Sequence, residues 1–416
     1  MTFQLSLEQL RKQAKERVSE RRAQGQDVKL AEVQFELARE LGFQSWPKLK
    51  AYVERLALEQ PFRTDLDYYE GRAHGIATVN GVSAADARRD LATRHGFSSW
   101  RELRRHVEAM QSGDEPPTPF VLAYRAIEDN DRERVVELLD RFPDLAIQRG
   151  TNGNDLLGMA GDLAIVSVLL ERGADPNRGN DYGWTKLHQA GYGNDRELAR
   201  LMLDAGARTD LFARGEGGTP LVAALFWGHR EVVPLLGREP VNLRAAAGLG
   251  DLELIRDLVG TPQAGACRGF YRPHGGFPAW NPSDDPQEVL DEALVWAAKS
   301  DRDQALPVLV DLGARVDADP YRGTALTWAA ANGRVNSIRT LVELGADVDQ
   351  RGTFGGPSHG EGVTAIHLAA QSGQRDAVVT LLELGADPLI QDKLHGGNAL
   401  GWARSNGHDA LADVLP

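Results

Sequence analysis

The chain has 416 residues, enough for two or three ordinary domains or for one domain and a repeat array, and its 42% hydrophobic and 26% charged residues are ordinary for a soluble protein. The single cysteine, Cys267, excludes an intramolecular disulfide, and there is neither a secretory signal nor a long apolar run, so we expect a cytoplasmic protein. Residues 1–112 hold 19 Lys and Arg against 16 Asp and Glu, whereas the remainder holds 28 against 44, a balance that argues against nucleic acid as its partner.

The N-terminal 112 residues contain a duplication. Residues 38–53 match residues 92–107, and in both copies a helix is predicted to end at Gly-Phe and the next to begin near Ser-Trp, at Trp46 and Trp100. Two such helical hairpins predict a small helical domain over residues 1–112, followed by a Pro-rich linker over residues 113–119.

A DNA-binding role is one interpretation of this region, because the Ala-x-x-Leu-Gly-Phe segment beginning at Ala38 is similar to the turn of a helix–turn–helix motif. Arg101, Arg104 and Arg105 would then contact bases or phosphates. Two features argue against this interpretation. Trp46 and Trp100 occupy positions where DNA-recognition helices normally begin with short polar side chains, and the charge of the region is nearly balanced.

From about residue 118 onward, one sequence pattern recurs with a period of about 33 residues, which is typical of a stacked repeat protein. An apolar helix closes at Gly-Ala, usually followed by Asp, as at Gly173, Gly206, Gly313, Gly345 and Gly385. Earlier in each unit a threonine predicts a helix N-cap, at Thr185, Thr219, Thr324 and Thr364. A glycine such as Gly250, Gly333, Gly373 or Gly407 then ends that first helix, before a second apolar helix. Pro234 and Pro307 fall within second helices, and we expect both to distort them.

Thr-x-Leu/Ile-His-x-Ala-Ala, then Gly, a Val-x-x-Leu-Leu helix and Gly-Ala-Asp, resembles the ankyrin repeat. The resemblance implies an all-α solenoid of about eight to nine units over residues 120–416, with projecting fingers and a concave face that usually binds proteins. It also implies that His188 and His367 are buried and hydrogen-bonded. Trp296, Trp328 and Trp402 replace the second leucine of the family pattern, and we expect them in the core as well. The N-terminal segment resembles the helical region found ahead of some bacterial ankyrin arrays.

The period breaks in two places, at insertions over about residues 261–287 and 352–362. Both follow second helices, so we expect both on the finger side, where their tips could form an aromatic-walled pocket. The candidate binding residues of these insertions are Tyr271, Arg272, His274, Phe277, Trp280, Asp284, Asp285, Phe354 and His359. A purely structural interpretation competes with this, because Asp284 and Asp285 also suit the start of a helix at 288–299.

The expected function is a non-catalytic interaction module that binds a protein or peptide through the concave face and the inserted loops. The alternative is a small-molecule or enzymatic site in the same loops, with His274 as acid or base. A nucleophilic arrangement of Cys267, His274 and Asp284 is a variant of this alternative. A DNA-associated regulator is the second alternative. We expect no cofactor and no metal site, because the histidines lack ligand spacing.

Overall fold

A computed structural model describes residues 7–40, 44–269, 282–320, 323–352 and 362–416. The chain divides into two compact units, residues 1–175 and 176–416. The predicted all-α class is confirmed, since the described residues are mainly helical and their strands are two residues long. The predicted domain limits at residues 112 and 120 stay a prediction.

The first unit begins with two groups of three helices. The helices of this unit are α1 (Leu7–Ala23), α2 (Leu30–Glu40), α3 (Trp46–Ala57), α4 (Leu66–Asn80), α5 (Ala84–Arg94), α6 (Trp100–Ser112), α7 (Pro119–Glu128), α8 (Arg132–Arg141), α9 (Leu156–Met159) and α10 (Leu163–Glu171). The helices α1, α2 and α3 pack together, as do α4, α5 and α6. The duplicated Leu49 and Leu103 are both fully buried, so each copy presents its leucine to a core. In the second copy Ser99 is the N-cap of α6, as predicted.

A short parallel ladder lies within the first unit. Strand β1 (Glu59–Gln60) pairs with β2 (Arg149–Gly150). Beside it, the buried ring of His95 contacts the Glu59 carbonyl oxygen through Nδ1 at 2.8 Å and the Thr151 hydroxyl through Nε2 at 3.0 Å. These contacts satisfy both ring nitrogens, as burial of a polar side chain requires.

The second unit consists of paired helices in two layers. Its helices are α11 (Lys186–Gly193), α12 (Arg196–Asp204), α13 (Pro220–Phe226), α14 (Leu243–Leu249), α15 (Leu252–Leu258), α16 (Pro286–Lys299), α17 (Ala305–Asp311), α18 (Ala325–Ala331), α19 (Val335–Glu343), α20 (Ala365–Gln371), α21 (Arg375–Glu383) and α22 (Ala399–Ser405). The first helices, α11, α13, α14, α16, α18, α20 and α22, pack in succession and are called the inner helices. The second helices, including α15, α17, α19 and α21, form the outer layer.

The predicted caps of the inner helices are confirmed. Thr185, Thr219, Thr324 and Thr364 are the N-cap residues of α11, α13, α18 and α20. The glycines that follow the inner helices take left-handed backbone angles, for example φ +75° at Gly250. One apolar residue at an equivalent place near the start of each inner helix is expected in the core. Those of the earlier repeats are buried, and that of α22, Leu400, is half-buried. The buried ones are Leu187, Leu221, Leu243, Leu294, Leu326 and Ile366.

The two prolines of the outer layer behave differently. Around Pro234 the second helix is reduced to a 3-10 turn, Val233–Leu235, as the proline predicts. The distortion predicted at Pro307 is wrong. Pro307 occupies the first turn of α17, where a backbone N–H has no partner inside the helix, and α17 is continuous around it.

Candidate functional site

The structure brings both ends of the larger insertion to one place, although most of its predicted binding residues lie outside the described part. Those outside are Tyr271, Arg272, His274, Phe277 and Trp280, together with Phe354 and His359 of the smaller insertion. The described ends, residues 261–269 and 282–287, lie beside α14 and α16. They are called the insertion base.

The insertion base packs on the finger that precedes α13. The Gly269 amide donates to the Glu216 carbonyl oxygen at 2.8 Å. Gly217 has a φ of +83°, and a Cβ there would lie 1.8 Å from the Cys267 carbonyl oxygen. Only a residue without a side chain fits such an approach, so this finger is shaped to receive the insertion base.

Arg268 joins the two ends of the insertion. Its Nε donates to the Gly265 carbonyl oxygen at 3.2 Å on one side, and its Nη2 donates to the Ser283 carbonyl oxygen on the other. Its Nη1 donates to Glu292 Oε2 at 2.7 Å, although the arginine side chain is only 1% exposed. The insertion is therefore closed at its base and fixed to α16.

Arg268 belongs to a buried ionic triad. Arg244 Nη1 on α14 donates to the other oxygen of Glu292 at 2.9 Å, and both of these side chains are at most 2% exposed. Burial acts to raise the pKa of Glu292, but the charges and hydrogen bonds of Arg244 and Arg268 outweigh it and lower that pKa below its usual range. The carboxylate is thus ionised and shared between a repeat helix and the insertion base.

A second buried cation lies among aromatic rings on the same helix. The Lys299 Nζ atom lies 4.5 Å from the centroid of Phe226, 4.3 Å from Trp296 and 4.7 Å from Trp328. Arg244 lies over the Trp296 ring at 4.7 Å. The prediction that Trp296, Trp328 and Trp402 belong to the core is confirmed, since all three are buried.

The sequence analysis did not predict the buried charged residues of α14 and α16. A signal was present, because Arg244, Glu292 and Lys299 lie within inner helices that elsewhere bury alanine and leucine. Charged residues at such positions are buried only when paired.

A second group of aromatic side chains lies on the repeats nearer the start of the unit. Tyr192 lies 6.2 Å from Trp184 and 5.7 Å from Trp227, with the rings nearly perpendicular in both pairs. Arg214, on the finger of the next repeat, lies over Trp184 at 4.3 Å. Tyr192 is 49% exposed, so this end of the aromatic surface is open.

Asp284 and Asp285 are exposed and face different clefts. Asp285 is the N-cap of α16, and its side chain accepts a hydrogen bond from the Gln287 amide at 3.0 Å. This contact agrees with the structural interpretation, in which the aspartate starts the helix. It borders an acidic cleft of about 590 Å³ with Asp291, Arg315 and Asp317. Asp284 borders a more apolar cleft of about 660 Å³.

The smaller insertion is closed at its ends by an antiparallel bridge. The Gly352 amide donates to the Val363 carbonyl oxygen at 2.8 Å. Arg351 Nη1 donates to the Gln391 carbonyl oxygen of the next finger at 3.1 Å. The predicted meeting of the two insertion tips falls outside the described residues.

The two histidines of the repeat pattern, His188 and His367, are buried and hydrogen-bonded, as expected. His188 Nδ1 accepts from the Thr185 amide at 3.2 Å, and its Nε2 contacts the Gly218 carbonyl oxygen at 2.9 Å. His367 repeats both contacts with Thr364 and Gly397. Burial lowers the pKa of His188 to about 4, so this ring is neutral at pH 7.

The nucleophile hypothesis for Cys267 finds little chemical support. Burial and the neighbouring Glu216 carboxylate raise the pKa of its thiol, which disfavours the reactive thiolate. His274, its proposed base, lies outside the described part. Within that part, no group of His, Cys, Asp and Glu is arranged to hold a metal ion.

The arginines of the DNA-binding interpretation are exposed on α6. Arg101, Arg104 and Arg105 all face solvent, but Arg104 pairs with Glu108 at 3.2 Å on the same helix. Glu102 lies between them in the sequence, and its pKa is lowered mainly by its hydrogen bond with Ser98. The mixed charge of this face leaves the DNA-binding alternative a prediction.

These features define a helical repeat protein with an elaborated finger side. Family models described as "Ankyrin repeats (3 copies)" match residues 155–245 and 243–352, and one described as "Ankyrin repeat" matches residues 361–393. Together these matches cover more than half of the chain. The protein therefore belongs to the ankyrin-repeat family.

Several proteins are similar over part of the chain. The match to protein fem-1 homolog A-like of Mus musculus is 39% identical over 108 residues, covering 25% of this chain and 16% of that protein. Protein fem-1 homolog A of Homo sapiens is 32% identical over 147 residues, or 35% of this chain and 20% of that protein. Protein PhlB of Serratia liquefaciens is 35% identical over 89 residues, or 21% of this chain and 39% of that protein.

The chain therefore spans a minor part of the length of each of these relatives. Its ankyrin repeats indicate a protein–protein interaction module. Among the described helices, none combines the length and apolar character that crossing a bilayer demands.

Proposed function

We propose that the protein is a non-catalytic interaction module that binds a protein or peptide partner through its inner helices and its inserted finger loops. The observation that carries this proposal is the insertion base, which Arg268 closes and fixes to α16 through Glu292. A loop held at both ends loses less conformational entropy on binding than one held loosely.

The composition of a second surface, on the inner helices, supports the same function. Trp184, Tyr192 and Trp227 form an open aromatic surface on the inner-helix side, with Arg214 stacked at its edge. Tryptophan, tyrosine and arginine are the residues that most often contribute large shares of binding energy at protein interfaces.

The test compares the full chain with His274→Ala/Trp280→Ala, each used as bait in cells that naturally express the protein. Bound proteins and small molecules are both identified by mass spectrometry. Arg339→Ala is the control, because this exposed arginine lies on outer helix α19 and pairs with Glu383 on α21. A protein captured by the wild type and the control but not by the double variant supports the proposal. Equal capture by all three contradicts it.

A small-molecule site in the same loops is the second candidate. The cleft of about 660 Å³ favours it, because Leu243, Val289 and Leu290 supply apolar walls beside Asp284. This candidate is supported if the wild type captures a metabolite but no protein, and if the double variant does not capture that metabolite.

A further inference from the structure

Three arginines converge in the turns that follow the inner helices. Arg230 follows α13, Arg302 follows α16 and Arg334 follows α18. These turns lie at the ends of the inner helices opposite to the fingers, and both insertions emerge on the finger side. Arg230, Arg302 and Arg334 are called the arginine cluster.

Backbone carbonyl groups hold two members of the arginine cluster in place. Arg302 Nε donates to the Gly248 carbonyl oxygen at 3.1 Å, and Arg334 Nε donates to the Lys299 carbonyl oxygen at 3.1 Å. Both acceptors lie at the C-terminal ends of inner helices, where carbonyl groups lack helical partners and carry partial negative charge. Each guanidinium has five N–H donors, so these bonds orient the groups and leave donors for a ligand.

The charges of the arginine cluster are only partly balanced by the titratable groups beside it. Asp301 pairs with Arg230 at 2.8 Å and also accepts from the Ser337 hydroxyl at 3.4 Å. Glu231 is exposed and accepts from the Asn194 amide. Three guanidinium groups thus share two carboxylates.

The mutual repulsion of these groups is a cost that an anionic ligand would relieve. Burial, followed by the charge of Arg230, lowers the pKa of both Arg302 and Arg334. Arg334 also acts to lower the pKa of His229, after burial, which is the larger cause. This positive site stands out in a part of the chain where acidic residues exceed basic ones.

Open aromatic rings border the arginine cluster. His229 Nε2 contacts the Tyr192 carbonyl oxygen at 2.8 Å, and the exposed Tyr192 ring packs edge-on against Trp227. The next residue, Gly228, accepts a hydrogen bond from Arg334. Aromatic anchors and arginine donors therefore adjoin on one surface.

We propose that this surface binds an acidic segment of a protein partner. The carboxylates of the segment pair with the arginine cluster, and an apolar or aromatic side chain packs on Tyr192 and Trp227. The inference rests on the proposed function in that the partner is a protein, but it assigns a contact surface separate from the insertions. An acidic peptide fits better than nucleic acid, because the surrounding acidic residues would repel a continuous phosphate backbone.

The test measures fluorescence anisotropy of a labelled peptide of alternating Glu and Asp with one central Phe, titrated with the full chain. Arg230→Gln removes a charge while keeping a donor for Asp301, and we expect it to weaken binding at least fivefold. Tyr192→Ala should weaken binding at least about thirtyfold, as for a single hot-spot side chain. Arg339→Gln, the same charge change on outer helix α19, should leave affinity unchanged.

The outcomes separate this inference from the proposed function. His274→Ala/Trp280→Ala should bind the acidic peptide like the wild type, even where it loses a natural partner. Binding weaker than about 1 mM by the wild type would overturn the inference. Equal weakening by Arg230→Gln and Arg339→Gln, or tighter binding of a single-stranded oligonucleotide than of the peptide, would overturn it as well.

Discussion

Arg268 and Glu292 form a hydrogen-bonded ion pair of 2.7 Å in which neither side chain is more than 2% exposed. They are separated by 24 residues of chain that include most of the larger insertion. The pair therefore fixes where the insertion leaves and rejoins the repeat array, and its removal should affect both stability and the position of the loop.

Arg268→Ala should lower the free energy of unfolding of the repeat array by about 3 kcal/mol, because it leaves Glu292 buried with only Arg244 as its cation. Thermal denaturation measures this loss. Hydrogen exchange should also become faster at residues 261–269, since the variant removes the link between the two insertion ends.

The matched control for Arg268 is the exposed pair of Arg339 and Glu383, which are 46% and 54% exposed. Arg339→Ala should cost less than about 1 kcal/mol, because water and salt screen exposed ion pairs. Similar losses in the two variants would show that burial does not set the strength of the Arg268 pair.

Gly217→Ala should destabilise the contact between the insertion base and its finger by about 3 kcal/mol. A Cβ at this residue would collide with the Cys267 carbonyl oxygen, and its left-handed backbone adds strain. Gly206→Ala provides the control, since Gly206 is also left-handed, at φ +88°, but has nothing within 4 Å of an added Cβ.

Denaturation of both glycine variants isolates the collision from the backbone effect. Gly206→Ala should cost only about 1 kcal/mol, the usual penalty of a left-handed alanine. If Gly217→Ala is no worse than Gly206→Ala, the insertion base does not rest on this finger in solution.

The repeating features were predictable from sequence because each depends on local chemistry. A threonine cap such as Thr324 and a left-handed glycine such as Gly333 act within one turn of a helix, so their pattern specifies the helix ends. The error at Pro307 arose from the helix start. The periodic pattern did not reveal that α17 begins at Ala305, which makes the proline a first-turn residue.

The candidate site was much less predictable, because its partners are distant in sequence. Arg244 and Glu292 are 48 residues apart, and Arg334 reaches Gly228 across 106 residues. Such pairs depend on how consecutive repeats stack and on the path of an insertion that has no periodic counterpart. The aromatic residues of that insertion drew attention in the sequence, whereas the buried charges that hold its base did not.

His188→Gln should reduce the pH dependence of stability. Burial lowers the pKa of His188 to about 4 from an ordinary value of 6.5, so the unfolded chain binds a proton more readily than the folded one. The neutral histidine therefore stabilises the fold fully above pH 6.5, and this contribution is lost as pH falls from 6.5 toward 4. Glutamine can accept and donate in the same two directions without titrating.

Melting temperatures between pH 7 and pH 4 measure this effect. The wild type should lose stability more steeply than His188→Gln over that range. His395→Gln is the control, because it makes the same substitution at an exposed histidine. Parallel curves for the wild type and His188→Gln would mean that His188 is not buried neutral.

Asp392→Asn should destabilise the last repeats at neutral pH but not in strong acid. The Asp392 carboxylate accepts from the Leu394 amide at 2.9 Å, from the Gly397 amide at 2.8 Å and from Trp402 Nε1 at 2.9 Å. Burial acts to raise its pKa, but these hydrogen bonds and one from the His395 amide prevail and lower that pKa to about 2.

Because its folded-state pKa lies below the ordinary 3.8, Asp392 stabilises the fold above pH 3.8, and that stabilisation disappears as pH falls toward 2. We expect Asp392→Asn to cost about 2 kcal/mol at pH 7, measured by hydrogen exchange in α22, and progressively less as pH falls from 4 to 2. The control is Asp413→Asn, the same substitution at an exposed surface position, which should cost less than about 0.5 kcal/mol at pH 7. A cost for Asp392→Asn that stays constant with pH would mean that its charge contributes nothing, and that shape alone holds the finger before α22.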